Sequence, residues 1–166
     1  MEKDFESFKN RVSDVRQSRF APYVRLPSDS IPDKSMFVYP YRSDDLLSFA
    51  TKTLPLSLRK RILRDSLRGI VALHEKGIVH TDIKPNNIML DWTEEDGNIA
   101  VQNVQIADIE DAVCVPDRCN VTGRQFGNWM WRSPEAHASG HCNKPTDIYS
   151  FAIVVSALRR AGIAPY

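Results

Sequence analysis

Residues 78–90 read IVHTDIKPNNIML, and the chemistry of this stretch is legible one side chain at a time. Asp82 can accept a proton from a hydroxyl. Lys84, two residues on, can neutralise charge on a phosphoryl group in transit. Asn87 can hold a divalent cation through its side-chain carbonyl. Asp108, beyond two predicted strands, can be the anionic metal ligand. Phosphoryl transfer draws on such a set, because its catalysis is mostly positioning and electrostatic stabilisation.

The flanking chain supplies elements that can carry this loop. Leu58, Ile62, Leu63, Leu67, Ile70, Val71 and His74 recur at helical spacing, with Pro55 near the start and Gly77 as a stop. Further upstream, Ser35–Tyr41 is short, apolar and rich in aromatic and β-branched residues, which predicts a buried strand. Ser43 reads as an N-cap, with Asp44 and Asp45 in the first turn of a short helix to Ala50. Phe5, Phe8, Val12 and Val15 predict an amphipathic helix over residues 2–17. Pro22, Pro27 and Pro32 break the segment between. Downstream, Ile88–Trp92 and Ile99–Ile106 read as strands joined at Asp96-Gly97. Residues 113–133 lack a period and predict a long loop. From Asp147, DIYSFAIVVSALRRA is apolar on nearly every side, which predicts a helix buried all round.

Composition narrows the class. The 166 residues carry 22 Lys+Arg and 21 Asp+Glu, a net charge of +1, with 42% hydrophobic residues. That is ordinary globular composition, about one domain, and neither a polybasic nucleic-acid tail nor a disordered acidic one. The arginines of the long helix read as its solvated face, so no nucleic-acid partner is expected. No apolar run reaches the roughly 20 residues of a membrane span, and the N-terminus has no apolar signal core. Cys114, Cys119 and Cys142 are odd in number and unpaired in spacing, which points to a reducing, intracellular location. A zinc set from these cysteines with His137 and His141 lacks a Cys-x-x-Cys pair, and free thiols are the simpler reading.

Four motifs in order make the chain resemble the large lobe of a eukaryotic protein kinase. The family's H-R-D-L-K-P-x-N is matched by His80–Asn87, its D-F-G by Asp108-Ile109-Glu110, its A-P-E by Ser133-Pro134-Glu135, and its D-x-W-S-F-G by Asp147–Ala152. Residues 161–166 are similar to the segment that closes the family's buried helix. The resemblance implies an α+β, protein-kinase-like fold, mainly the helical large lobe with a small-lobe remnant. Residues 1–34 would be that remnant, 35–45 the hinge and 46–166 an incomplete large lobe. It implies Asp82 as catalytic base, Lys84 as phosphate contact, and Asn87 and Asp108 as magnesium ligands. It implies adenine binding at Val38, Tyr39 and Tyr41 with Met89 packing from below, and ribose contact at Asp45. His80 and Ile109 would pack in the interior, and Asp147 would bond the catalytic-loop backbone. The implied cofactors are ATP and magnesium, and the implied substrate is a protein Ser/Thr hydroxyl, since Lys84 resembles serine/threonine kinases.

Several positions depart from the family pattern. Thr81 replaces the usual arginine, a form similar to SR-protein and LAMMER-type kinases, and removes the common pocket for a phosphorylated loop. Glu110 replaces the glycine of D-F-G. Asn128 stands where a threonine often contacts the catalytic Asp and Lys. The chain contains no glycine-rich phosphate loop and no strand lysine of the V-A-I-K type. Glu6 is a poor match for that lysine's glutamate partner. These absences predict a kinase domain cut at both ends, of low or no activity, with a pseudokinase-like scaffold as the alternative. A small-molecule kinase of the same fold is a second alternative, disfavoured by Lys84-Pro85 and Ser133-Pro134-Glu135. The apolar helix after Asp147, left partly uncovered, predicts self-association or a partner.

Overall fold

The computed structural model describes residues 2–116, 118–122 and 126–159. Helix α1 (Glu2–Arg16) forms where the 3-4-3 spacing predicts it, and Phe5, Phe8, Val12 and Val15 are all buried. Burial of each such side chain stabilises by about 1.5–3 kcal/mol. Their cover comes in part from a two-stranded antiparallel ribbon, β1 (Asp29–Ile31) and β2 (Met36–Val38). Phe37 stacks on Phe5 at 4.5 Å between ring centroids and meets Phe8 edge-on at 4.7 Å.

The stretch Ser35–Tyr41 is not the buried strand predicted from its composition. Only residues 36–38 are extended, and Met36 and Val38 are exposed. A ribbon leaning on one helix has one covered face, and the two-residue pleat sends Phe37 into it and both neighbours out. The start of the next helix also differs. Asp44–Asp45 form β3, paired with Leu90 and Met89, and helix α2 (Leu46–Phe49) is capped by Asp45, whose Oδ1 accepts the Ser48 N–H at 3.0 Å. Ser43 is tied instead to Asp91, to which its N–H donates at 3.0 Å.

The long helix α3 (Leu56–His74) packs against the Ala21–Tyr23 turn and the hairpin of β5 (Ile88–Glu95) and β6 (Asn98–Ile106). Its Gly69 is required by that approach: a Cβ there would stand 2.4 Å from the Tyr23 carbonyl and 2.7 Å from Ile106. The hairpin turns as predicted at Asp96 (φ 50°) and Gly97 (φ 76°), the positive pair that a two-residue turn matching the strand twist needs. Strand order in this sheet is β3-β5-β6. A second antiparallel pair, β4 (Ile78–Val79) and β7 (Val113–Cys114), brackets the loop that carries Asp82. Within residues 113–133, the long loop predicted there is pinned by β7 and by a bridge from Val121 to Cys142.

The short helix α4 (Pro134–His137) is capped by Ser133. The last helix, α5 (Lys144–Arg159), rests on α3 and β4 and is buried on one side only. Phe151, Val154 and Leu158 are buried, whereas Ile148 and Tyr149 are 46% and 45% exposed. The all-round burial read from its sequence is therefore corrected: with neighbours on one side, half of an apolar cylinder faces solvent. Residues 161–166, the segment similar to the end of the family's buried helix, lie outside the described residues. Among the described residues no helix is long and apolar enough to cross a membrane, and no group of three His, Cys, Asp or Glu side chains gathers as a metal cluster.

Candidate active site

The loop after β4 is shaped from below by a carboxylate in the first turn of α5. Asp147 is buried and accepts the His80 N–H at 2.8 Å and the Thr81 N–H at 2.9 Å. His74 Nε2 lies 2.8 Å from the same carboxylate. Thr81 is held at φ 71°, a left-handed conformation uncommon for a β-branched residue. The buried His80 ring accepts the Asp82 N–H at Nδ1 (3.2 Å), so Nε2 carries the proton and donates to the Ala107 carbonyl at 2.8 Å. Both nitrogens are thus occupied in holding backbone, and Ile109 is buried in the main hydrophobic core.

Asp82 emerges from the loop half-buried, with its carboxylate held by groups from three directions. Lys84 Nζ reaches Oδ2 at 2.5 Å, Asn87 Nδ2 reaches Oδ2 at 3.3 Å, and the Asn128 N–H reaches Oδ1 at 2.7 Å. Asn87 also donates to the Asp82 carbonyl at 2.9 Å. The contact from Asn128 is made by its backbone, because its side-chain oxygen accepts the Met130 N–H at 3.0 Å. Gly127 permits that approach: it sits at φ 71°, and a Cβ there would come within 2.4 Å of the Thr81 carbonyl.

Asp108 is set next to this group by the strand geometry. The Ala107 N–H donates to the Asn87 carbonyl at 2.8 Å, and Asp108 follows at φ 63° with its side chain exposed. Neither its carboxylate nor Asn87 Oδ1 makes a hydrogen bond among the described residues, whereas Asn87 Nδ2 is committed to Asp82. The pair left open is one carboxylate and one amide oxygen, hard donors of the kind magnesium takes. The residues present therefore fit that ion.

The segment after Asp108 is gripped by Arg11, which the sequence does not flag, and by Tyr39, which it flags only for adenine. Arg11 of α1 donates to the carbonyls of Glu110 (2.9 Å) and Ala112. Tyr39, just past β2, donates its hydroxyl to the Glu110 carboxylate, with Arg25 over its ring at 5.1 Å. Burial, and then the bond to Glu110 and its charge, push the Tyr39 phenol far above its ordinary value. Nothing in the sequence marks Arg11, because its partners are carbonyls.

The residues carried over as a nucleotide-base site are dispersed in their contacts. The Val38 carbonyl accepts from Ser28 at 2.8 Å, Tyr39 is engaged with Glu110, and Tyr41 is 82% exposed. Asp45 and Met89 are direct cross-strand partners on β3 and β5, with one Asp45 oxygen used as the helix cap. Glu6 is on the surface and pairs with Lys9 at 3.2 Å.

Comparison with known proteins places this geometry. The model of the protein kinase domain family matches residues 26–163. The chain is 31% identical over 160 residues to cysteine-rich receptor-like protein kinase 18 of Arabidopsis thaliana, covering 89% of this chain and 23% of that protein. It is 28% identical over 166 residues to proline-rich receptor-like protein kinase PERK3 of the same plant, covering 95% and 30%. The chain therefore spans a quarter to a third of these curated relatives. In fold it is similar to the crystal structure of the yeast RNA Pol II CTD kinase CTDK-1 complex, with a TM-score of 0.74 at 19% identity over 92% of this chain and 49% of that one.

Proposed function

The chain belongs to the protein kinase family, and on that premise we propose that it carries the phosphoryl-transfer site of a serine/threonine protein kinase that uses ATP and magnesium. The observation that supports this reading is the Asp82 carboxylate, held by Lys84, Asn87 and the Asn128 N–H beside the open oxygens of Asn87 and Asp108. Asp82 would accept the hydrogen bond, and then the proton, of a Ser or Thr hydroxyl. Lys84 would exchange its contact with Asp82 for a phosphate oxygen. Asn87 and Asp108 would hold the metal, and Val38, Tyr39, Tyr41, Met89 and Asp45 would face the nucleoside. When bound, ATP and magnesium supply the electrophilic phosphorus and the charge that steadies it.

The 166-residue chain by itself is expected to transfer phosphoryl groups slowly or not at all, since it contains neither a glycine-rich loop nor a V-A-I-K lysine. The same absence supports the alternative of a nucleotide-binding or scaffold module. An intracellular location and self-association through the exposed side of α5 complete the reading. Titration of ATP with and without magnesium tests it. Asp108→Asn should abolish the magnesium-dependent part of binding, because a carboxylate is worth far more than an amide beside a divalent ion. Equal ATP affinity in all four conditions would overturn the metal assignment.

A further inference from the structure

Away from the catalytic loop, on the solvent face of α3, three arginines share one carboxylate. Asp65 is buried, and Arg64 Nε lies 3.1 Å, Arg68 Nη1 3.0 Å and Arg61 Nε 3.7 Å from it. Arg68 is additionally bonded to the Tyr23 hydroxyl at 2.9 Å, so its charge is shared between two partners. Arg64 is the immediate neighbour of Asp65, and adjacent helical residues do not face each other by default. Its side chain folds back on the carboxylate nonetheless. Three guanidiniums on one carboxylate leave two positive charges in excess. The Arg61 and Arg64 side chains are 48% and 58% exposed, and neither has another partner among the described residues. Arg64 is hydrogen-bonded through Nε and Arg61 Nε stands at ion-pair distance, which leaves both terminal amino groups of each fork unused.

We propose that Arg61 and Arg64, oriented by Asp65, form a docking site for a phosphorylated serine or threonine on a partner protein. A phosphomonoester carries close to two negative charges near neutral pH and three acceptor oxygens, which matches two open guanidinium forks one helical turn apart. The Nε hydrogen bond of Arg64 to Asp65 removes part of the rotamer entropy that a free arginine would lose on binding. Single-stranded nucleic acid fits this surface less well. It needs charges tracking successive phosphates and aromatic faces for its bases. The two rings beside the cluster, Phe20 and Tyr23, are already covered by Arg19 and Arg68, at 4.6 Å and 5.2 Å. The site is independent of the catalytic reading and stands or falls without it.

Calorimetric titration of the 166-residue chain with an Ala-Gly peptide bearing one central phosphoserine tests the proposal. The phosphopeptide should bind at least about tenfold more tightly than its unphosphorylated form. Arg61→Ala with Arg64→Ala should remove that preference. The charge-preserving pair Arg61→Lys with Arg64→Lys keeps the ion pairs to Asp65 and the helix, yet should lose most of it, because an ammonium offers no planar fork. Equal affinity for the two peptides, or a preference that survives in the lysine pair, would overturn the docking site. So would equally tight binding of an oligo-dT strand, or competition by inorganic phosphate at the phosphopeptide's own concentration.

Discussion

Asp147 accepts the backbone N–H of Thr81 at 2.9 Å and so holds a β-branched residue at φ 71°, immediately before Asp82. A helix that begins 63 residues downstream of Thr81 thereby sets the direction in which the candidate base leaves its loop. Asp147→Asn would put an amide against the two N–H groups and remove a charge-assisted acceptor. We expect a loss of about 2–3 kcal/mol. A urea midpoint unchanged from the parent chain would refute this role.

Gly127 is the second support of the same carboxylate. Alanine there would force φ 71° on a residue with a Cβ and drive that Cβ to 2.4 Å from the Thr81 carbonyl. The expected result is about 1–2 kcal/mol of destabilisation. The amide signal of Asn128 should shift as its N–H leaves Asp82, a displacement that NMR of labelled protein would register.

Acid should unfold the chain through identifiable carboxylates. Burial pushes Asp91 up, but bonds from Asn103 and the Ser43 N–H, with the Arg42 charge, outweigh it and hold the group below its ordinary 3.8. Glu135 behaves alike: burial raises it, and bonds from its own N–H, Ser133 and Thr146 bring it below its ordinary 4.5. A carboxylate depressed by folding stabilises above its unfolded pKa, and that contribution disappears as pH falls through the folded one. Stability should therefore hold from neutrality to about pH 5 and decline below about pH 4. Asp91→Asn should flatten part of that decline in urea midpoints measured against pH.

The exposed side of α5 should make copies of this chain associate. Ile148 and Tyr149 stand next to each other in solvent, and each Å² of apolar surface removed from water is worth about 25 cal/mol. Sedimentation velocity should show species larger than a monomer. Ile148→Lys with Tyr149→Lys should return the chain to monomers. A parent chain that sediments as a monomer throughout would contradict this.

Local signals sufficed for much of the molecule. The spacing of Phe5, Phe8, Val12 and Val15 fixes α1, and Asp96-Gly97 fixes the hairpin, because helix period and turn chemistry depend on near neighbours alone. The order of His80–Asn87, Asp108–Glu110, Ser133–Glu135 and Asp147–Ala152 carried the family, since each motif sits in one short segment. What lay beyond the sequence depends on contacts between distant segments. Arg11 reaches two carbonyls, and a carbonyl leaves no trace in residue identity. Tyr39 meets Glu110 because the β1–β2 ribbon that precedes it lies beside α1. The burial of β2 and α5 was likewise decided by tertiary structure, because an apolar side chain is covered only where another layer happens to lie against it, and the number of layers is a property of the assembled fold.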